Sequence, residues 1–183
     1  MDATDQRIKA ETLPRPWAAD IFQAFKKLGI AQVAYVPDAG HTQLILDCHA
    51  DPVMTAVSLT AEQEGVAMLA GAWLGGQRGA LLMQSSGAGN CINMLSLAQE
   101  CRFPMLMLVT MRGEWGEFNP WQIAMGQSTQ KALDHAGCIV QRVESGEEAG
   151  TVVFAAGQLA FSTNRPVAVL VGQRVIGFKD WSK

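Results

Sequence analysis

The sequence has few charged residues and no surplus of positive ones. Its 183 residues include 14 Lys or Arg and 17 Asp or Glu, which gives a formal net charge of -3. Proteins that bind nucleic acid or anionic membranes by charge carry clustered basic residues, whereas the basic residues here are scattered. We therefore expect neither a nucleic-acid partner nor a membrane partner.

Long apolar runs and paired cysteines are also missing. No stretch approaches the ~18 apolar residues of a membrane span, and the N-terminus lacks the apolar core of a signal peptide, so we expect a cytoplasmic protein. The cysteines lie far apart without a C-x-x-C pair, so we expect buried free thiols and no metal site on this chain. They are Cys48, Cys91, Cys101 and Cys138.

Apolar residues make up 49% of the chain, and only 17% of its residues are charged. Because this balance is unusually apolar for a chain of this length, we expect another protein to cover part of its surface. Residues 1–15 are predicted to be a polar extension, residues 16–176 a single domain and residues 177–183 a C-terminal tail.

Apolar runs alternate with helical patterns along the domain. The spacing of Trp17, Ile21, Phe25 and Leu28 predicts a first helix that ends at Gly29. Runs that are apolar on both faces and separated by helices predict a six-stranded, mostly parallel sheet covered on both sides, which is a doubly wound α/β fold. The predicted strands are residues 32–36, 54–59, 79–84, 104–110, 138–143 and 166–171.

Ligands of such sheets gather at the carboxyl ends of the strands. Residues 85–89 follow a strand there, and we predict a turn of small residues with a serine N-cap, then a helix over 90–100. The backbone of this turn could approach a ligand closely, although it matches neither a P-loop nor a G-x-G-x-x-G motif. Residues 111–121 are predicted to be a long loop, and loops of this length are usually functional or mobile.

Glu62 is the strongest candidate for a catalytic residue. It follows a predicted strand and begins a helix whose face continues through Val66, Leu69 and Ala70. If this face packs against another subunit, the carboxyl is partly buried, and burial helps a carboxyl to share a proton with a ligand. The alternative is a glutamate that only balances the helix dipole, which is the role we assign to Glu64.

Further candidates lie at other strand ends. His41 follows the turn over 37–40 and could supply a proton or a hydrogen bond, although a histidine in a surface turn is equally ordinary. In the long loop, Arg112, Glu114 and Asn119 could bind an anionic group of a substrate, and arginine is the best fit to a carboxylate or sulfonate. A solvated loop without a binding role is the alternative.

Together these residues resemble the pyrimidine-binding domain of thiamine-diphosphate-dependent 2-oxo acid decarboxylases over nearly the whole chain. The stretches that carry the resemblance are Tyr35-Val36-Pro37-Asp38, Glu62 placed nine residues before Gly71, and residues 82–90. The run over 111–122 is similar to sulfopyruvate decarboxylases in particular, with phosphonopyruvate decarboxylases next.

The resemblance implies that Glu62 hydrogen-bonds a ring nitrogen of the aminopyrimidine and so promotes loss of the C2 proton of the thiazolium. His41 or a residue of another subunit would then protonate the decarboxylated product. The implied cofactor-binding residues are Glu62, Pro37, Asp38, Gln84, Ser85, Ser86, Gly87 and Asn90. The implied substrate-binding residues are Ser86, Arg112 and Asn119.

One family segment is missing from the sequence. In the family, a Gly-Asp-Gly segment followed by Asn-Asn holds Mg²⁺ and the diphosphate, and this chain contains no such segment. The resemblance therefore implies a beta subunit that carries this half of the site and holds Mg²⁺. An α2β2 assembly or a multiple of it would be the usual closed arrangement.

The expected activity is decarboxylation of a small anionic 2-oxo acid, with sulfopyruvate converted to sulfoacetaldehyde and CO₂. Phosphonopyruvate or another 2-oxo acid is an alternative substrate, because these anions share charge and differ mainly in shape. A non-catalytic domain that regulates a full-length enzyme is a second alternative. A flavodoxin-like module for a phosphorylated ligand is a third, against which Glu62 and the missing phosphate loop both argue.

Overall fold

Six strands form the centre of the molecule in a computed structural model that describes residues 16–177. The predicted extension over 1–15 and nearly all of the predicted tail lie outside these residues. The strands are β1 (Ile30–Tyr35), β2 (Thr55–Ser58), β3 (Arg78–Gln84), β4 (Met105–Thr110), β5 (Ile139–Val143) and β6 (Pro166–Val171). They form one sheet in the order β2-β1-β3-β4-β6-β5, and every neighbouring pair is parallel. The predicted α/β fold is confirmed, with a sheet that is entirely parallel.

Helices connect the strands and cover both faces of the sheet. They are α1 (Pro16–Leu28), α2 (Thr42–Ala50), α3 (Glu62–Leu74), α4 (Ser85–Cys91), α5 (Leu95–Glu100), α6 (Ile123–His135), α7 (Ala149–Thr163) and α8 (Gln173–Ile176), with 3-10 turns at Pro120–Gln122 and Gly146–Glu148. Among residues 16–177, no helix combines the length and apolar character needed to cross a bilayer.

The core has two parts, one on each face of the sheet. Strands β4 and β6 are buried at every position, as expected for central parallel strands. Along β4, Leu106 and Leu108 face the layer of α1, α2 and α7, whereas Met105, Met107 and Val109 face the layer of α3, α4 and α5. This packing fixes the strand ends at which the candidate residues lie.

The segment after β3 differs from its prediction. Residues 85–89 are not a turn with a serine N-cap, because Ser85 already begins helix α4, and the predicted helix over 90–100 is interrupted between Cys91 and Leu95. Two glycines of this segment pack closely against neighbouring elements. A Cβ at Gly87 would lie 2.1 Å from Glu62 Oε1, and one at Gly89 would lie 3.3 Å from Met125. The glycines therefore let this helix pack closely against Glu62 and Met125, where larger side chains would not fit.

The prediction of buried thiols is correct for Cys48, Cys91 and Cys138 and wrong for Cys101, which is exposed. Cys101 follows the last residue of α5, and the left-handed backbone of Arg102 (φ 53°) then turns the chain towards β4. A residue at such a helix end leaves the apolar face of its helix. All four thiols are free.

The thiols should differ sharply in reactivity. Burial, reinforced by nearby acidic groups, raises the pKa of Cys48, Cys91 and Cys138 to about 12, and thiolates are the reactive form. A thiol-reactive dye should therefore modify one cysteine per native chain, which peptide mapping should identify as Cys101. Denaturant should expose the others, and rapid modification of more than one native thiol would contradict the packing.

Two glycines of α3 provide a matched test of helix packing. A Cβ at Gly65 would lie 2.5 Å from Leu81 Cδ1 and 3.0 Å from Leu59 Cδ1, whereas one at Gly71 would meet nothing within 4 Å. We expect Gly65→Ala to lower the free energy of unfolding by about 1–3 kcal/mol through overpacking. Gly71→Ala should raise it by up to about 1 kcal/mol, because alanine favours helix. Urea denaturation measures both, and equal stability of the two variants would refute this packing.

Candidate functional site

The carboxyl group of Glu62 is enclosed between two helices. Glu62 is the first residue of α3 and is only 8% exposed. Asn90 Nδ2 donates a hydrogen bond to Glu62 Oε2 at 2.8 Å, and the backbone of Gly87 leaves no room for a side chain beside Oε1. The structure therefore brings together three of the predicted site residues.

Glu64, rather than Glu62, stabilises the start of α3. Glu64 Oε2 accepts hydrogen bonds from the N–H groups of Thr60 at 3.0 Å and Ala61 at 3.5 Å. These bonds satisfy donors that precede the helix, as in a capping box. Glu64 therefore acts at the start of the helix, where we placed it, through backbone hydrogen bonds, and the carboxyl of Glu62 lies against α4 instead.

Asp38 joins the carboxyl ends of β1, β3 and β4. Its Oδ1 accepts a hydrogen bond from Gln84 Nε2 at 2.8 Å. Its Oδ2 accepts hydrogen bonds from Thr110 Oγ1 at 2.7 Å and from the N–H of Gly40 at 3.0 Å. Gln84 is linked onward, because Ser86 Oγ donates to Gln84 Oε1 at 3.0 Å. Four polar side chains thus form one network along this edge of the sheet.

Ser85 is fully buried, and it forms hydrogen bonds with the long loop and with α6. Its Oγ accepts a hydrogen bond from the N–H of Arg112 at 3.1 Å, and its carbonyl accepts one from Thr129 Oγ1 at 3.3 Å. Ser85 therefore ties α4 to the long loop and to α6. Pro37, another predicted cofactor-binding residue, is exposed after β1.

His41 is fully buried, which excludes the surface-turn alternative. Its Nε2 lies 3.2 Å from the carbonyl oxygen of Met83. Because a carbonyl oxygen only accepts, Nε2 carries the proton in this contact. The imidazole therefore braces the end of β3, one residue before Gln84.

Glu117 organises the long loop. Arg112 donates two hydrogen bonds to its carboxylate, from Nε at 2.7 Å and from Nη2 at 2.6 Å. The N–H groups of Gly113 and Asn119 and the Nε2 of Gln173 also donate to it, at 3.1, 3.0 and 3.0 Å. Burial acts to raise the pKa of Glu117, but the bonds from Arg112, Asn119 and Gly113 outweigh it and lower the pKa to about 2. The carboxylate accepts five hydrogen bonds, and these bonds tie the two halves of the loop and Gln173 together.

All three loop candidates form hydrogen bonds within the chain. The hydrogen bonds to Glu117 raise the pKa of Arg112 despite its burial, and its guanidinium also lies 5.5 Å from the centre of the Phe118 ring. Asn119 Oδ1 accepts a hydrogen bond from the N–H of Trp121 at 3.2 Å, which caps the 3-10 turn. The third loop candidate, Glu114, accepts two hydrogen bonds from Arg142 Nη2, both at 2.7 Å.

Gln173 and Glu117 were not among the sequence candidates. Gln173 follows β6, is 2% exposed, and accepts hydrogen bonds through Oε1 from the N–H groups of Glu114 at 2.9 Å and Trp115 at 3.0 Å. A polar residue one position beyond the glycine that follows a fully apolar strand is a signal that sequence analysis could use. Glu117 has no such signal, because its partners are assembled by the loop itself.

A small cavity lies beside this network. It has a volume of about 90 Å³, and its lining includes Asp38, Thr110, Arg112, Glu117 and Gln173. Glu62 is not among its lining residues. One guanidinium and two carboxylates therefore face the same space, and the guanidinium is already paired with one of them.

Large apolar side chains are exposed around the loop. Trp121 is 73% exposed, and Trp115, Phe118 and Ile123 are each more than 40% exposed. On α3, the helix that begins with Glu62, Leu74 is 87% exposed. Exposed apolar clusters of this kind mark surfaces that bind other molecules.

A family model decides the assignment of the fold. The model described as "Thiamine pyrophosphate enzyme, N-terminal TPP binding domain" matches residues 17–138. The chain belongs to this thiamine pyrophosphate enzyme family. The match includes β1 to β4, α3 and α4, and therefore the whole surroundings of Glu62.

Two curated relatives of this family member are alpha subunits. The chain is 33% identical to "Sulfopyruvate decarboxylase subunit alpha" of Methanococcus maripaludis over 82% of its own length and 91% of that protein. It is also 33% identical to the same subunit of Methanocaldococcus jannaschii, over 82% of the chain and 89% of that protein. "Phosphonopyruvate decarboxylase" of Streptomyces viridochromogenes is 40% identical over 64% of the chain but only 30% of its own length.

A solved structure supports the fold of this thiamine pyrophosphate enzyme domain. The 2-oxoglutarate:ferredoxin oxidoreductase of Magnetococcus marinus matches with a TM-score of 0.68 over 90% of the chain and 29% of that protein. At 16% identity, this likeness shows shared architecture alone.

The surroundings of Glu62 fit the pyrimidine end of thiamine diphosphate. The carboxyl is oriented by Asn90 and packed against Gly87, which suits a group that would share a proton with a ring nitrogen. Among residues 16–177, no group of three or more His, Cys, Asp or Glu is placed to hold a metal ion.

The Arg112–Glu117 pair should make the loop sensitive to acid. The pKa of Glu117 is lowered from 4.5 to about 2, so its contribution to stability is present above pH 4.5 and is lost as the pH falls towards 2. Near pH 7, Glu117→Gln should lower the free energy of unfolding by about 1–3 kcal/mol, because a partly buried guanidinium loses its charged partner.

This difference from the unsubstituted chain should stay nearly constant from pH 7 down to about pH 4.5 and then shrink as the pH is lowered to 3. Urea denaturation at a series of pH values measures it, and Glu100→Gln, at the exposed end of α5, serves as the control with little effect. A difference that stays constant with pH would contradict the role of Glu117.

Proposed function

We propose that this chain is the pyrimidine-binding subunit of a heteromeric thiamine-diphosphate-dependent decarboxylase that acts on a small anionic 2-oxo acid. Sulfopyruvate is the substrate we propose, with sulfoacetaldehyde and CO₂ as products. The observation that carries the proposal is the buried carboxyl of Glu62, held by Asn90, on a domain of this family. Its similarity to named sulfopyruvate decarboxylase alpha subunits over 82% of the chain supports the choice of substrate.

Glu62 has the central role in this proposal. Thiamine diphosphate, when bound, supplies a thiazolium that accepts the electron pair released as a 2-oxo acid loses CO₂. Glu62 holds a proton between its carboxyl and a ring nitrogen of the pyrimidine. Asn90 keeps the carboxyl in one orientation through Oε2, and Gly87 lets the backbone of α4 lie directly against it. Proton sharing depends on this fixed geometry.

His41 keeps a place in the proposal, with its role refined. Its full burial and its bond to the Met83 carbonyl support positioning of the β3 end rather than direct proton transfer to a substrate. Pro37 and Ser85 belong to the same supporting frame. Pro37 directly precedes Asp38, and Ser85 fixes the start of the loop at Arg112.

Arg112, Asn119 and Ser86 are the proposed substrate contacts of this chain. Arginine has five N–H donors, so the pair with Glu117 leaves donors of Arg112 for an anionic group. That group would have to share the guanidinium with Glu117. Because Glu117 is itself negatively charged and would repel such a group, we propose that the partner subunit contributes a further cation that binds the sulfonate or phosphonate.

The partner we propose is a beta subunit that binds the diphosphate and Mg²⁺. The sequence lacks the Gly-Asp-Gly and Asn-Asn segment, and the chain spans 91% of an alpha subunit but 30% of a longer phosphonopyruvate decarboxylase. The exposed apolar side chains of the loop and of α3 support a covering protein. An α2β2 assembly or a multiple of it completes the proposal.

Substitution of Glu62 tests this function. In the complex with the partner subunit, Glu62→Gln should lower kcat by roughly 10²–10⁴-fold, because the proton-sharing group is lost. Glu64→Gln is the matched control, since it changes a glutamate of the same helix turn and its side-chain oxygen can still accept from Thr60 and Ala61. The control should keep at least half of the activity.

The assay is aldehyde release from a panel of sulfonate, phosphonate and carboxylate 2-oxo acids, with thiamine diphosphate and Mg²⁺. Assembly of each variant is checked by size-exclusion chromatography. Full turnover by an assembled Glu62→Gln complex would refute a catalytic role and favour a regulatory domain. Turnover of another acid in preference to sulfopyruvate would reassign the substrate.

A further inference from the structure

The side chains of Asp38, Gln84 and Ser86 form a chain of hydrogen bonds with a defined direction. Gln84 Nε2 lies 2.8 Å from Asp38 Oδ1, and Ser86 Oγ lies 3.0 Å from Gln84 Oε1. The other oxygen of Asp38 receives the N–H of Gly40 and the hydroxyl of Thr110. Both ends of the carboxylate therefore face donors.

The direction of the chain follows from what each group can do. A carboxylate accepts and has no hydrogen to give, so the atom of Gln84 that faces Asp38 must be the donating nitrogen. This leaves the amide oxygen of Gln84 facing Ser86, and an amide oxygen also only accepts. The single hydroxyl hydrogen of Ser86 is therefore used on Gln84.

We infer that Asp38 is a positioning residue that makes Ser86 a hydrogen-bond acceptor towards bound ligand. Ser86 is half-buried, and its neighbour Gly87 lies against the carboxyl of Glu62. With its hydrogen held by Gln84, the free lone pairs of Ser86 select an N–H or O–H donor. A carboxylate or sulfonate oxygen is disfavoured at this hydroxyl, because two acceptors would face each other.

This inference rests on the proposed function, since it takes the ligand of this edge to be the cofactor or the substrate. It changes one part of that proposal. Ser86 still contacts the ligand in this inference, but it contacts a hydrogen-bond donor group. The anionic end of the substrate is bound by other residues.

Asp38→Asn tests the direction of the chain with almost no change in shape. An asparagine can keep its oxygen towards Gly40 and Thr110 and turn its NH₂ towards Gln84. The Gln84 amide then reverses, its nitrogen donates to Ser86, and the hydroxyl hydrogen of Ser86 is released towards the ligand. A donor then faces a donor, and ligand binding is weakened.

The experiment compares Asp38→Asn, Ser86→Ala and the double variant in the complex with the partner subunit. Calorimetry gives the Kd for thiamine diphosphate, steady-state kinetics gives KM and kcat for the 2-oxo acid, and thermal unfolding checks the fold. Each single variant should weaken Kd or KM by about tenfold, the size of one hydrogen bond. The constant that moves identifies which ligand Ser86 contacts.

The double variant is decisive, because Asp38 is inferred to act through Ser86. In the Ser86→Ala background, Asp38→Asn should change the affected constant by no more than about twofold, as expected for coupled neighbours. Equal losses from Asp38→Asn in both backgrounds would overturn the inference. A normal Kd and KM in Ser86→Ala, or in a folded Asp38→Asn variant, would overturn it as well.

If Asp38→Asn does not fold, Ser86→Cys provides the second measurement. A thiol is a weak acceptor, so Ser86→Cys should weaken the same constant as Ser86→Ala, and unchanged binding would overturn the inference. Failure of the inference remains separate from failure of the proposed function. The Kd for thiamine diphosphate is measured without turnover, and the proposed activity is tested at Glu62.

Discussion

The absence of a side chain at Gly87 is the constraint on which the candidate site depends. Helices α3 and α4 follow different strands, and they meet where the carboxyl of Glu62 lies against the Gly87 backbone. A Cβ on residue 87 would lie only 2.1 Å from Glu62 Oε1. Asn90, one turn further along α4, then reaches Oε2. Position and orientation of the carboxyl are thus set by a single short helix, and a larger residue at 87 would displace the carboxyl.

The long loop is held by polar contacts, and this leaves its aromatic residues outside. Glu117 accepts five hydrogen bonds at the centre of the loop, and Gln173 secures its first part through the N–H groups of Glu114 and Trp115. Because these bonds replace an apolar core, Trp121 can remain largely exposed without loss of loop shape. A rigid, apolar surface at the edge of the site is the result.

The sequence was sufficient to predict the sheet and the helix that begins at Glu62, and insufficient wherever long-range contacts determine the structure. Strand β6 has the predicted limits, and Glu62 begins its helix as expected, because apolar runs and an acidic first turn are local signals. Serine and glycine in 85–89 favoured a turn, but packing of α4 against Glu62 overrides that preference. Gln173 and Glu117 meet across 56 residues, and no local pattern encodes such a pair.

The two edge strands of the sheet are poorly suited to pairing with a strand of another chain. Edge strand β2 has only four residues, and edge strand β5 has five. One residue of β5 is Arg142, and Glu114 and Glu144 hold its guanidinium beside the strand. Short edges and charged side chains add further strands poorly, because few unpaired N–H and C=O groups are presented in register. Strand addition by a neighbouring chain is thus discouraged at both ends, so a protein that binds this domain would have to use its helix faces and loops rather than extend the six-stranded sheet.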